Sequence, residues 1–374
     1  MFRNTQHSGV NKIKTLSNQR FSSVNRTLTY IYKGGEMKSA SVKKLKFKPE
    51  AGPTYDHSVH DRPVLGISAC LLGQPVRFDG GHKKNQYILH ALAKHIDFVS
   101  TCPELEAGFG LPRPTMQLRQ INNETRLVYS KYPETDVTLQ MRDFAEQKVH
   151  ELSEVDGFIF KKDSPSCGVF RVPIVMHKDG MREKSGVGIF ADSFQKLYPL
   201  IPVEEEGRLN DAALCENFFE RVYAYRRWKA ITQDENSVQD LIEFHSRHKF
   251  MLMARGSEYY QELGRMVAGT TAKDLAERRE RYITRFMQVM KIISRPGRHV
   301  NVLQHIMGYL KQKLSADDKQ ELLAVFESYK EKQTPLITPL TLLRHHLRVN
   351  PQQYIAKQHY LDPFPEQLAL RSSL

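Results

Sequence analysis

A chain of 374 residues with 40% hydrophobic and 26% charged residues and a mean hydropathy of −0.51 has the make-up of a soluble globular protein of two ordinary domains, and no apolar run is long enough to cross a bilayer. The formal charge of +13 invites a nucleic-acid reading, but residues 1–50 hold 11 Lys or Arg against only Glu36 and Glu50, which leaves the rest of the chain mildly basic. Four cysteines, none in a C-x-x-C pair and with no secretory signal before them, exclude an extracellular disulfide framework and point to free thiols or metal ligands in a reducing cytoplasm.

Residues 1–60 read as a basic tail rich in Ser, Asn and Lys, with too little apolar material for a core, and are expected to be disordered. Arg and Ser with few acids give the tail a faint likeness to an organellar transit peptide; the simpler reading is that Met37 is an alternative start and the first 36 residues are dispensable. From 61 to 205, β-branched runs alternate with helical stretches. VLGIS (64–68), DFVS (97–100), GFIF (157–160), RVPIVMH (171–177) and GVGIF (186–190) are predicted strands, and 86–96 and 138–155 amphipathic helices. The pattern predicts an α/β fold, a three-layer, Rossmann-like domain on a largely parallel sheet.

Residues 204–207 read as a charged break, and 206–236 as a connecting helix whose FFERVYAYRRWK stretch (218–229) packs the two domains together. Residues 237–374 form an all-α domain by this reading, with helical spacing over 237–255, 272–294, 299–314 and 316–332 and a capping box of Ser315 with Asp318.

Three cysteines have a common placement. Cys70 follows VLGIS, Cys102 follows DFVS and Cys167 follows GFIF after a short loop, so each lies just past the carboxyl end of a predicted strand, the edge where open α/β sheets bind ligands. Cys215, midway along a helical run, reads as core. Three converging thiolates suit a catalytic zinc with one open position, or a [4Fe-4S] cluster with one iron lacking a protein ligand; a cysteine nucleophile would explain only one of the three.

The loops carry polar side chains suited to a pocket. SACLLGQPVRFDGGHKKN offers Arg77, Asp79 and, more weakly, His82; TCPELEAGFGLPRP offers Glu104 two residues from Cys102, and Arg113; KKDSPSCGVF sets Ser164 and Ser166 around Pro165 directly before Cys167. Singly each has a plainer reading: a solvated acid for Glu104, a mutual pair for Arg77 and Asp79, a turn former for Ser164.

Through ACLLG-x-x-VR-F-DG at 69–80, CPE and G-x-PR within 102–113, and K-x-SPSCG at 162–168, the region 62–203 resembles the thiouracil desulfidase family. The resemblance implies that Cys70, Cys102 and Cys167 bind a [4Fe-4S] cluster open to the sulfur of a thiolated nucleobase, with Glu104 and Ser164 as catalytic residues and Arg77, Asp79, Arg113 and Ser166 as substrate-binding candidates. The implied reaction is non-redox hydrolysis that releases sulfide from a thiolated base or nucleoside, with thiolated tRNA as a wider alternative. Residues 240–370 resemble an uncharacterised helical domain often fused to the first, through KFMLMAR, GRHVNVLQHIMGYLK and LLRHHL, which gives a name without a mechanism; catalysis, regulation and homo-oligomer formation are all open to it.

A second class of function stands beside the enzyme: an RNA-binding or adaptor protein whose cluster is structural. His245 and His248, three apart on a helical pattern, tempt toward a second metal site, but no carboxylates recur at ligand spacing and they read as surface or cap residues. Arg298, His299 and Asn301 form a polar cluster at a predicted helix start, a candidate anion site.

Overall fold

The computed structural model describes residues 30–33, 36–39, 62–176, 180–232 and 237–373; the predicted tail therefore lies, apart from two short strands, outside the described residues. The strands are β1 (Tyr30–Lys33), β2 (Glu36–Ser39), β3 (Val64–Ser68), β4 (Asp97–Thr101), β5 (Met116–Ile121), β6 (Glu124–Tyr129), β7 (Gly157–Phe160), β8 (Val172–Val175), β9 (Arg182–Gly186) and β10 (Val203–Glu205). The main sheet has the order β10-β7-β3-β4-β1-β2; β10, β7, β3 and β4 run parallel, and β1 pairs antiparallel with both β4 and β2. The chain steps from β3 to β4 on one side and later to β7 on the other, so β3 is where the strand order reverses.

Alternating side chains of the parallel strands fill two cores, which gives the predicted three layers. Leu65, Ile67, Phe98 and Ile159 face one side, where they meet α1 (Gln86–His90) and α5 (Ala212–Thr232). Phe158 and Phe160 face the other, against α3 (Thr138–Glu151) and α4 (Ile189–Leu197). Gly66 has no room for a side chain: a Cβ there would lie 2.2 Å from the Phe158 ring.

The sequence reading needs three corrections here. A second, four-stranded sheet of order β6-β5-β8-β9 pairs mostly antiparallel, and its β5–β6 hairpin turns on Asn122 and Asn123, both at positive φ (50° and 63°). GVGIF is not a strand: only Gly186 belongs to β9, and Gly188 caps the start of α4. The supposed charged break at 204–206 is buried, because β10 pairs with β7 and the three glutamates are 2%, 5% and 9% exposed.

The predicted connecting helix is α5. Phe218, Phe219 and Val222 belong to the sheet-side core and Ala224 and Trp228 to the helical core, so this helix is shared between domains as its sequence suggested. Beyond it lie α6 (Val238–Arg247), α7 (Lys249–Met253), α8 (Ser257–Val267), α9 (Leu275–Met290), α10 (Pro296–Tyr309), α11 (Ala316–Lys330), α12 (Ile337–Val349) and α13 (Gln353–Ala356), with no strand among the described residues. Ser315 and Asp318 form the expected capping box, and Ser237 with Asp240 forms a second. The segment after α13 returns to the sheet, where Phe364 and Leu368 pack in the core beside Leu65 and Cys70.

Gly66→Ala is expected to destabilise the chain by about 1–3 kcal/mol, the usual cost of overpacking, read as a lower denaturant midpoint; an unchanged midpoint would mean that β3 and β7 are not packed as described.

Candidate functional site

Because β7, β3 and β4 are parallel neighbours, the loops that leave them emerge on one edge and surround a pocket of about 320 Å³. Cys70, Cys102 and Cys167 all line it, with Arg77, Glu104, Arg113 and Ser164. Seven predicted residues from three separate segments thus line one pocket, and Asp79 and Ser166 are not in its lining.

Glu104 is the best-held of these side chains. Its Oε2 accepts hydrogen bonds from Arg113 Nη2 at 2.6 Å and Nε at 3.1 Å, and its Oε1 accepts one from the Ser166 hydroxyl at 3.0 Å. Arg113 also donates to the carbonyls of Val76 and Gly110, so a buried guanidinium links the first two cysteine loops. Ser166 is fully buried and acts on the pocket through Glu104 rather than by lining it.

Ser164 fulfils its plainer reading as well. Its Oγ accepts the Cys167 N–H at 3.1 Å and the Ser166 N–H at 3.3 Å, which leaves its own O–H available to a molecule in the pocket. Asp79 is not part of the pocket lining: its carboxylate accepts the Gly81 N–H at 2.9 Å on the exposed outside of the loop, and this bond and burial's small opposing effect leave its pKa below the usual carboxylate range. His82 is likewise exposed and occupied locally by the Lys84 N–H. Arg77 and Asp79 are thus separated, Arg77 at the pocket and Asp79 outside it.

Four groups escaped the sequence reading. Glu106 accepts the Cys102 N–H and the Thr101 hydroxyl, both at 2.7 Å, and so fixes the second cysteine loop. Glu205 accepts the N–H groups of Val169 and Phe170 just past Cys167, at 2.8 and 3.0 Å, and burial raises its pKa despite those bonds. Glu206 accepts the Lys162 N–H at 2.7 Å and pairs with Lys161, which lines the pocket. Gly188 approaches so closely that a Cβ would lie 2.5 Å from the Ser166 carbonyl carbon, and α4 begins by donating its first N–H groups to the carbonyls of Pro165 and Ser166. The run EEEG at 204–207 and the glycines of GVG were visible signals; their pairing partners, dozens of residues away, were not.

Two of the thiols, Cys70 and Cys167, are buried and Cys102 is half-buried, and all three are mutually close enough to repel as thiolates. Burial pushes the Cys70 pKa up to about 11, with the neighbouring Cys102 adding to the rise and Arg77 and Lys161 opposing it. Burial also raises Cys102, and raises Cys167 well above the ordinary thiol value, where Glu104 adds to the effect and a Ser68 hydrogen bond opposes it. Among the described residues no three His, Cys, Asp or Glu side chains form a ready-made ligand group for a single metal ion. The donor set nevertheless suits a soft polynuclear centre: three sulfurs face one space, each on its own loop, so that each can serve a different metal atom, with cationic side chains beside them. Cys215, as expected, is core, 3% exposed with its sulfur 3.5 Å from the Tyr87 hydroxyl.

The helical domain corrects two further expectations. His245 and His248 are buried rather than on the surface, although His248 is, as read, a cap residue, closing α6 and opening α7: their Nδ1 atoms meet the Tyr282 hydroxyl at 3.1 Å and the Phe244 carbonyl at 2.7 Å. Arg298, His299 and Asn301 do not gather as an anion site, since Arg298 pairs with Glu258, His299 turns inward to the Tyr360 hydroxyl and Asn301 is exposed.

Fold and site define a two-domain protein with a thiol-lined pocket at the carboxyl edge of a parallel sheet, followed by a helical bundle. Residues 65–206 match the model of the 2-thiouracil desulfurase family and residues 249–365 that of DUF1722, a family of unknown function, so the two halves are similar to two different families. It is 27% identical over 167 residues to the uncharacterized protein YbgA of Escherichia coli (strain K12), a match that covers 44% of this chain and 96% of YbgA. Among solved structures it is similar to the [4Fe-4S]-dependent thiouracil desulfidase TudS, at 28% identity over 42% of this chain and 98% of TudS, with a TM-score of 0.33. Among the described residues no helix is long and apolar enough to cross a membrane.

With its pKa near 11, Cys70 in metal-free protein is a protonated thiol at pH 8. Its alkylation by iodoacetamide is expected to be slow there and to rise about tenfold per pH unit until that pKa is approached, since only the thiolate reacts. Peptide mass spectrometry checks this, and a rate that levels off just above pH 9 would show an exposed, unperturbed thiol.

Proposed function

We propose that this protein removes sulfur from a thiolated nucleobase of the thiouracil type by hydrolysis, with Cys70, Cys102 and Cys167 holding a [4Fe-4S] cluster. The observation that carries the reading is the meeting of three thiols from three parallel strand ends with an oriented carboxylate, Glu104, in one pocket. The family match over residues 65–206 supports the substrate class, and TudS, a [4Fe-4S]-dependent enzyme by its name, supports the cofactor. When bound, such a cluster supplies a soft Lewis acid at the iron without a cysteine, which favours thiocarbonyl sulfur over the oxygen of ordinary uracil.

The chain's own residues do the rest. Glu104, fixed by Arg113 and Ser166, takes a proton from the attacking water as general base. Ser164, anchored through its oxygen by the Cys167 N–H, directs its hydroxyl proton toward the bound base. Arg77 and Lys161 line the same space and offset negative charge on the thiolates and on the departing sulfur. Water adds to the ring carbon, the carbon–sulfur bond breaks, and the products are uracil and sulfide, with no net electron transfer. Arg113 serves the substrate indirectly, through Glu104, and Asp79 has no part in this scheme. Small thiolated bases and nucleosides are the substrates proposed.

Iron and acid-labile sulfide measured on anaerobically purified protein, with sulfide release from 2-thiouracil and 4-thiouracil, test the proposal. About four of each per chain together with release is the expected result, and absence of iron after anaerobic reconstitution would return the thiols to zinc binding or to no metal at all. Any one of Cys70→Ala, Cys102→Ala and Cys167→Ala should lose the iron. Glu104→Gln should retain it and lower kcat by roughly 10²–10⁴-fold, the usual contribution of a general base; full activity in that variant would remove Glu104 from the mechanism.

A further inference from the structure

A second concavity, of about 240 Å³, lies in the helical half, between α5, the start of α10, the α11–α12 connection and the returning segment near Arg371. Its inner wall is built from charges that a structural bundle would avoid burying. Glu216 and Glu220, one turn apart on α5, both pair with Arg371, at 2.8 and 2.9 Å, and Glu220 also pairs with Arg255. Bringing two carboxylates and two guanidiniums together out of water costs several kcal/mol per ion before pairing, so such a group stabilises the bundle weakly at best.

His299 lines the cavity and is 6% exposed. Its Nδ1 is 2.8 Å from the Tyr360 hydroxyl, and its Nε2 has no hydrogen-bond partner among the described residues. Burial, with Arg371 adding to it, pushes its pKa down to about 3, which keeps the ring neutral. Two hydroxyls in the same lining, Ser294 Oγ and Thr334 Oγ1, are shut off from solvent and have no partner. Orphaned buried hydroxyls cost about 1–3 kcal/mol each, and these two share the cavity wall with the His299 ring.

We propose that this cavity is a binding site for a small, uncharged heterocycle of nucleobase size that carries both hydrogen-bond donors and acceptors. The acids and guanidiniums of the wall are already matched two against two, and the histidine is neutral, so a charged ligand would arrive without a counter-charge in the inner wall; Lys332 stands exposed at the rim. Neutral groups that both donate and accept, the His299 ring and the Tyr329, Ser294 and Thr334 hydroxyls, suit a ligand of alternating polarity, and Pro296 and Pro335 supply flat apolar walls. The site is independent of the thiol-lined pocket and stands whether or not that pocket is a desulfurase site.

The test is thermal unfolding of the full-length metal-free chain with uracil, adenine or inorganic phosphate, on the wild type and on a Ser294→Ala/Thr334→Val double variant. The double variant loses orphaned hydroxyls and is expected to melt at the same or a higher temperature without ligand, yet to bind the base about tenfold more weakly. His299→Gln is expected to weaken binding in the same way. Stabilisation of the wild type by uracil or adenine, weakened by the double variant and by His299→Gln, supports the site. No shift with either base, a shift that survives the double variant, or an equal shift with phosphate overturns it.

Discussion

Backbone hydrogen bonds between β3 and its two parallel neighbours decide where three distant loops emerge. Leu65 pairs with Phe98 on one side and with Gly157 on the other, so residues 69, 102 and 161, which follow the three strand ends, all start from one edge. No side chain of the pocket has to reach across the molecule. Buried carboxylates then fix the loops: Glu106 holds the backbone at Cys102, Glu205 the backbone beyond Cys167 and Glu206 the backbone before it. Each accepts N–H groups that burial would otherwise leave without partners, so loop order and charge burial are one arrangement.

The same economy governs Glu104. Its two oxygens are both occupied, one by Arg113 and one by Ser166, which come from the second and third loops. A carboxylate so held cannot swing away from the pocket, and the cost of ordering it is borne by folding rather than by substrate binding. Arg113 extends the link to the first loop through the Val76 carbonyl. A change at Arg113, Ser166 or Glu104 would therefore be felt in all three loops, including those that hold cysteines.

Much of this was legible in the sequence because it depends on local order. VLGIS and GFIF are strands by composition and length, and a cysteine just past a strand end has its place fixed by that strand. What was hidden depends on partners remote in sequence. A triplet of glutamates reads as solvated until β10 is known to pair with β7, and an exposed-looking Asp79 is indistinguishable from Arg77, two residues earlier, until the loop's turn is seen. His245 and His248 looked like surface residues because their neighbours are charged, although both are buried, one on α6 and one at the cap that follows it. The β5–β6 hairpin is a different kind of miss: Asn122 and Asn123 between alternating residues are a local turn signal that was present.

The return of Phe364 and Leu368 to the core beside Cys70 bears on how the protein is made. A ribosome delivers β3, β4 and β7 long before those two side chains, so one face of the first core waits, partly bare, while the whole helical bundle is synthesised. During that interval the Cys70 loop sits over an incomplete floor. The first core is therefore completed by residues that lie beyond the whole helical bundle in sequence, which ties the folding of one half to that of the other.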